Sequence, residues 1–176
     1  MALVLPTLQS KILTILQTDK PDADVVSHAE DIGSAYDDYA SLAQDVVGNP
    51  CINGSKSAFK SALIPILQAS VLAPVAAAAY EAAHQAWWPT CTFTTAIPAP
   101  GLLSTVITTH TPPTPGIVLG LCLAAFVSPI PVAAVKALMM ATAFHVACIT
   151  VTTSSTGPAL PIGIPPALTV GPFPIL

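Results

Sequence analysis

The sequence predicts an α+β, helix-rich fold in which N-terminal amphipathic helices are followed by two pseudo-repeated helix-then-strand units and an extended Pro/Gly-rich C-terminal tail. Three observations carry this expectation. Apolar residues recur at helical spacing over the first 50 residues, a central stretch occurs twice, and the last 23 residues combine Gly and Pro with scattered aliphatics and no charge.

The repeated stretch covers Pro74 to Thr95 and Pro131 to Thr152 at an offset of 57. Pro74, Val75, Ala76, Ala77, Ala86, Cys91 and Thr95 fall on Pro131, Val132, Ala133, Ala134, Ala143, Cys148 and Thr152, and Trp87 meets Phe144. Each copy opens with Pro, which suits a first helical position, runs through helix formers to an aromatic, and passes into a Thr-rich segment that reads as a strand.

In chain order, Leu3 to Gln17 places Leu5, Leu8, Ile12, Ile15 and Leu16 on one helical face. A second helix is expected over Asp22 to Val47, with Val25, Ala29, Ile32, Tyr36, Tyr39, Ala43 and Val46 as its stripe. Asp31, Asp37, Asp38 and Asp45 lie mostly off that stripe and read as a solvated acidic face. Ser55 is an N-cap candidate for a helix to Ile64. Pro65 and Pro74 then break the pattern, and a second piece is expected from Pro74 to Trp87. Thr90 to Ile97 and Leu102 to Thr109 read as strands joined in a hairpin across Ala-Pro-Gly, with His110 to Gly116 a stiff linker. Beyond it follow an apolar run from Ile117 to Val127, the second repeated helix from Val132 to Phe144, and a strand from Val146 to Thr153. The tail from Ser154 is expected to lie extended along a neighbouring chain, because a disordered tail is normally polar and this one is not. The implied regions are 1–50, 51–111, 112–153 and 154–176.

Charge is the unusual quantity. Only 8% of residues are charged, against roughly 25% in ordinary soluble domains. Arg is absent, and Lys136 is the one charged residue after Glu81. The second half has little with which to face water, so burial by other subunits, other proteins or lipid is expected. Five dispersed lysines and a net charge of -4 exclude the clustered cations that phosphate binding needs, so nucleic acid is not an expected partner. Met1 to Ser10 lacks a cationic leader, which implies synthesis in the cytoplasm.

Four cysteines, Cys51, Cys91, Cys122 and Cys148, allow three pairings if the chain later meets an oxidising environment. The repeat makes Cys91 with Cys148 the geometric candidate, with buried thiols the alternative. His28, His84, His110 and His145 have no zinc spacing; His145 precedes Cys148 by three, a lone pair where a site needs three or four ligands. No Gly-x-Ser-x-Gly, Walker loop, His-Glu-x-x-His or Cys-x-x-Cys occurs. No catalytic, cofactor or metal residues are assigned, and an enzyme is not expected. Trp87, Trp88, Phe93, Phe126, Phe144 and Phe173 are expected as anchors at subunit contacts. The alternative is a small integral membrane protein, a pore-forming or anchoring hairpin, since Ser61 to Tyr80 and Gly116 to Val135 are each 20 residues without charge.

The opening Met1-Ala2-Leu3-Val4-Leu5, the acidic helix with Tyr36 and Tyr39, the Ala-rich helix ending in Trp87-Trp88 before Thr-rich strands, the second such helix and the apolar Gly-Pro end form a layout. It resembles that of small virion structural proteins in the tails and baseplates of contractile-tailed bacteriophages. The resemblance spans nearly the whole chain and rests on no signature motif; four cysteines and the scarcity of charge depart from it. It implies a homo-oligomeric, non-enzymatic tail component that is made in the host cytoplasm, resides in the virion and contacts other tail or baseplate proteins, with no catalytic residues to carry over.

Overall fold

The structure is a computed structural model that describes residues 3–18, 24–70, 72–130, 132–158 and 168–175. It is helix-rich α+β, with helices α1 (Leu5–Thr18), α2 (Val25–Ala40), α3 (Lys56–Ala69), α4 (Ala73–Trp87), α5 (Ile117–Val127) and α6 (Ala133–Cys148). Short strands β1 (Cys51–Ile52), β2 (Thr92–Phe93), β3 (Ile107–His110), β4 (Thr152–Gly157) and β5 (Leu168–Pro174) complete it.

Each helix packs on the next in sequence, and α6 returns to pack on α1, so the six close into a ring. Neighbours run antiparallel. Lys11 pairs with Asp38 across α1 and α2, Glu30 meets Lys56 and Lys60 across α2 and α3, and Glu81 of α4 meets the start of α5. The chain is therefore three helical hairpins, α1–α2, α3–α4 and α5–α6.

The second helices of the hairpins are related position by position, with offsets of 48 and 60. Ala29, Ala77 and Ala137 correspond and are fully buried; Ala35, Ala83 and Ala143 correspond and are buried. Tyr36, His84 and Phe144 correspond and meet: their ring centroids are 5.3, 5.1 and 5.9 Å apart pairwise. The three helix ends close in the same way, with Ala43 N, Cys91 N and Val151 N donating to the carbonyls of Ala40, Trp88 and Cys148 at 3.0 Å each. In the first helices Leu8, Ile12 and Ile15 of α1, Phe59, Leu63 and Leu67 of α3, and Val118, Cys122 and Ala125 of α5 line the core. The molecule has an internal three-fold arrangement.

The expected repeat at offset 57 is thus corrected: Trp87 corresponds to Ala147, and His84 to Phe144. The two registers differ by three residues, close to one turn of helix, so both keep the apolar face in place. The Pro-Val-Ala-Ala identity that set the offset lies at the helix starts, where the two chains enter with different loop lengths.

Several boundaries also differ from expectation. Helix α2 stops at Ala40, not Val47, because Asp45 is buried and organises a turn. Its Oδ1 accepts from Val47 N and Asn49 N at 3.0 and 2.8 Å, and Asn49 Nδ2 donates to Asp45 Oδ2 at 2.9 Å. Helix α3, capped by Ser55 Oγ on Ala58 N, runs through Pro65 to Ala69. Ser61 and Pro65 share its exposed face, so the carbonyl that Pro leaves without its helical partner is not sealed in the core. The expected strand over Val146 to Thr153 yields to helix as far as Cys148, and strand begins at Thr152.

The expected hairpin of residues 90–97 with 102–109 does not form. β2 pairs antiparallel with β1, and β3 pairs with β4. β5 adds to the other edge of β4, so the described part of the C-terminal segment folds back on its own chain rather than along a neighbour. β1, β2 and β4 follow α2, α4 and α6, which puts the strands at one end of the ring and the three hairpin tips at the other.

Candidate docking end and buried axis

The starts of the three second helices occupy equivalent positions and differ in chemistry. The N-cap of α2 is Asp24, whose carboxylate accepts from Ser27 N at 2.7 Å. The corresponding residues are Leu72 before α4 and Val132 before α6, and neither makes a side-chain cap. Leu72 is 69% exposed, Val132 51%, and the neighbouring Val127 and Ile130 are 60% and 46% exposed. In the second and third tips a serine shapes the turn instead, Ser70 Oγ accepting from Leu72 N and Ser128 Oγ from Ile130 N, both at 3.3 Å. Ser61 to Tyr80 holds no charge, nor does the chain from Thr111 to Val135. Along α4 the first charge after Leu72 is Glu81, about 13 Å away, and along α6 the first after Val132 is Lys136, about 6 Å away. An exposed helix start normally carries Ser, Thr, Asp or Asn; here two of three equivalent starts present large aliphatics to solvent.

Below the tips, polar groups thread the core along the three-fold axis. Trp88 Nε1 donates to Tyr36 Oη at 3.0 Å; Tyr36 Oη lies 3.5 Å from Cys148 Sγ, and that sulfur lies 3.7 Å from His84 Nε2. His84 is fully buried, and its Nδ1 has no partner among the described residues. Around this line, Trp87 Nε1 donates to Asp37 Oδ1 at 2.7 Å, Tyr39 Oη pairs with His145 Nδ1 at 2.5 Å, and His28 Nε2 pairs with Tyr80 Oη at 2.6 Å. Burial holds the His84 imidazole neutral, down to about 3, and pushes the Cys148 thiol up to about 12. A Cys–His nucleophile needs the opposite on both counts, a thiol that ionises and an imidazole that takes its proton. The two groups together form a fully buried polar contact.

The anticipated contact residues lie elsewhere than a subunit surface. Trp87, Trp88 and Phe144 are fully buried and Phe93 is 5% exposed, all inside this chain's own core, so they cannot anchor a neighbour. The reason is the ring: α4 and α6 turn these faces to the axis. Phe126 is half-buried against Tyr80, with ring centroids 5.6 Å apart. The backbone of Phe173 pairs with Thr153 in the sheet, and its side chain lies outside the described residues. Cys91 bonds to Cys51, not Cys148, because β2 pairs with β1 and brings those two together. Cys122 and Cys148 are free and buried.

The acidic face is also largely committed. Asp37 serves Trp87, Asp38 pairs with Lys11 at 2.6 Å, and Glu30 takes Lys56 and Lys60. Glu81, ignored by sequence reasoning, caps α5 from the neighbouring helix: its carboxylate accepts from Gly116 N at 3.1 Å and Leu119 N at 3.0 Å. Gly116 carries φ +88 there, a conformation that favours glycine. Among the described residues no group of three or more His, Cys, Asp or Glu side chains is placed to share a metal ion. Also among them, no helix is long and apolar enough to cross a membrane; each uncharged stretch of 20 residues is bent into a hairpin tip.

No protein-family model, curated protein or solved structure matches the chain.

Proposed function

We propose that this chain is a non-enzymatic structural subunit that docks in a homo-oligomeric assembly through the exposed aliphatic starts of α4 and α6. The layout resemblance makes a virion tail or baseplate the setting. One observation carries the reading: at the equivalent starts of α2, α4 and α6, the chain places a solvated cap once, at Asp24, and exposed aliphatics twice, at Leu72 and Val132. Burying such side chains in a neighbour contributes about 25 cal/mol per Å2 of apolar surface, and leaving them in water forfeits it. The Cys51–Cys91 disulfide suits a particle that persists outside a reducing cytoplasm.

The test is to give the second and third tips the chemistry of the first. In the double variant Leu72→Asp with Val132→Asp, each new carboxylate caps its helix and should raise the stability of the isolated chain by about 1 kcal/mol per site. The same change should abolish concentration-dependent self-association in sedimentation equilibrium and incorporation into particles. Stability and assembly then move in opposite directions, which a folding defect cannot produce. Unchanged association in the stabilised variant defeats the proposal, and flotation of the wild-type chain with neutral liposomes in place of self-association transfers it to the membrane alternative.

A further inference from the structure

We infer that His84 is an acid-sensitive latch on the three-fold axis, whose protonation releases the three hairpins from one another together. This stands apart from the docking of the tips and holds whether or not they dock.

The geometry carries the inference. The axial positions are Tyr36, His84 and Phe144, and only His84 changes charge near neutral pH. Its ring stacks on Phe144 at 18° between planes and sits edge-on to Tyr36 at 60°, so α2 and α6 both bear directly on it. An imidazolium has two N–H donors. Here Nε2 faces a thiol sulfur at 3.7 Å, a weak acceptor, and Nδ1 faces nothing polar among the described residues. The cation therefore has no place in this core, and burial holds the ring neutral.

The surrounding groups do not rescue it. On α2, Asp37 is taken by Trp87 Nε1, Tyr39 by His145 and His28 by Tyr80, while Tyr36 is the acceptor for Trp88. On α4 itself, Glu81 is spent on the α5 N-terminus. α6 offers Cys148 and His145, α5 offers the buried thiol of Cys122, and the lysines of α3 pair with Glu30 outside the axis. On α1, Lys11 pairs with Asp38. No carboxylate among the described residues is in hydrogen-bond reach of either His84 nitrogen.

The direction follows from proton counting. The unfolded chain binds a proton at this ring below its ordinary value of 6.5 and the folded chain binds it only near 3, so stability is full above 6.5 and falls as the pH drops between the two. One such group raises the unfolding constant about 25-fold between pH 7 and pH 5.

The experiment uses the full, disulfide-intact chain. Urea unfolding is followed by the fluorescence of Trp87 and Trp88, the chain's two tryptophans, at pH 7 and pH 5. The wild type should show at least the 25-fold rise, because burial also lowers His110; His84→Gln, which keeps a polar side chain that does not titrate, and His84→Phe, which copies the equivalent Phe144, should reduce the rise about 25-fold. In the folded wild type the imidazole proton resonance that disappears in H84Q should not titrate above pH 5. A parallel acid loss in wild type and H84Q overturns the inference. So does a His84 resonance that titrates near 6.5 in the folded chain, or an acid loss removed by H28Q, H110Q or H145Q but not by H84Q.

Discussion

The indole N–H of Trp88 donates to the Tyr36 hydroxyl at 3.0 Å, joining the end of the second hairpin to the last turns of the first in the centre of the ring. Desolvation pushes the Tyr36 phenol well above its ordinary range. Tyr36→Phe keeps the stacked contact with Phe59 and leaves the Trp88 donor buried without an acceptor. The expected loss is about 1 to 3 kcal/mol in chemical unfolding. An unchanged midpoint would mean that Trp88 has another acceptor.

The Cys51–Cys91 bond closes a loop, at a sequence separation of 40, that contains the whole second hairpin. Removing it by Cys51→Ser with Cys91→Ser should cost about 4 kcal/mol if the chain-entropy account of crosslinks holds. The other two thiols give an internal control. Cys122 and Cys148 are fully buried and held protonated by burial, at about 12 each, so in the folded chain neither should react with a thiol reagent, and both should react in urea. Labelling of either under native conditions would contradict the packing described above.

Gly54 lies against the ring of Trp87. A methyl group added there would stand 2.0 Å from Trp87 Cζ2 and 2.7 Å from Cε2, closer than any real contact allows. Gly54→Ala must displace the indole and with it the bond to Asp37, at a cost of about 2 to 3 kcal/mol. A red-shifted tryptophan emission should accompany the loss. A neutral substitution would show that the loop before α3 yields freely.

A second acid transition should lie below that of the axial histidine. Hydrogen bonds from Lys56 and Lys60 hold the Glu30 carboxyl at about 2, against an ordinary 4.5. A depressed carboxyl contributes its stability above 4.5 and loses it as the pH falls toward 2. Glu30→Gln should therefore flatten the stability profile below 4.5 and leave the segment between pH 7 and 5 as in the wild type. Half a molar salt should shrink the effect, because the pair is exposed.

The helix faces were legible in the sequence because apolar periodicity dictates them: Leu8, Ile12, Ala29, Ile32 and Tyr36 all point inward as their spacing requires. What lay beyond a linear reading was the partner of each face. Trp87, Trp88 and Phe144 look like surplus apolar surface in a charge-poor chain until the ring closes around them. The strands were misjoined because β1 is two residues long and carries no pattern, yet it is the partner of β2; nearest-neighbour pairing is then the wrong guess. The first hairpin escaped comparison with the other two because the shared signal is two alanines and the size of an axial ring, while its charges and its offset of 48 disguise the kinship. Asp45 and Glu81 show a further limit. A carboxylate's position in the sequence does not say whether it faces water or collects backbone N–H groups.

The packing of α6 back on α1 fixes the number of units. In an open solenoid the terminal faces stay available, and arrays lengthen by duplication of one more unit. Here the first and last helices already cover each other, so a fourth hairpin has nowhere to enter without prising that seam apart. Any variation in size should therefore fall in the segments between hairpins and strands, with the count of three held constant.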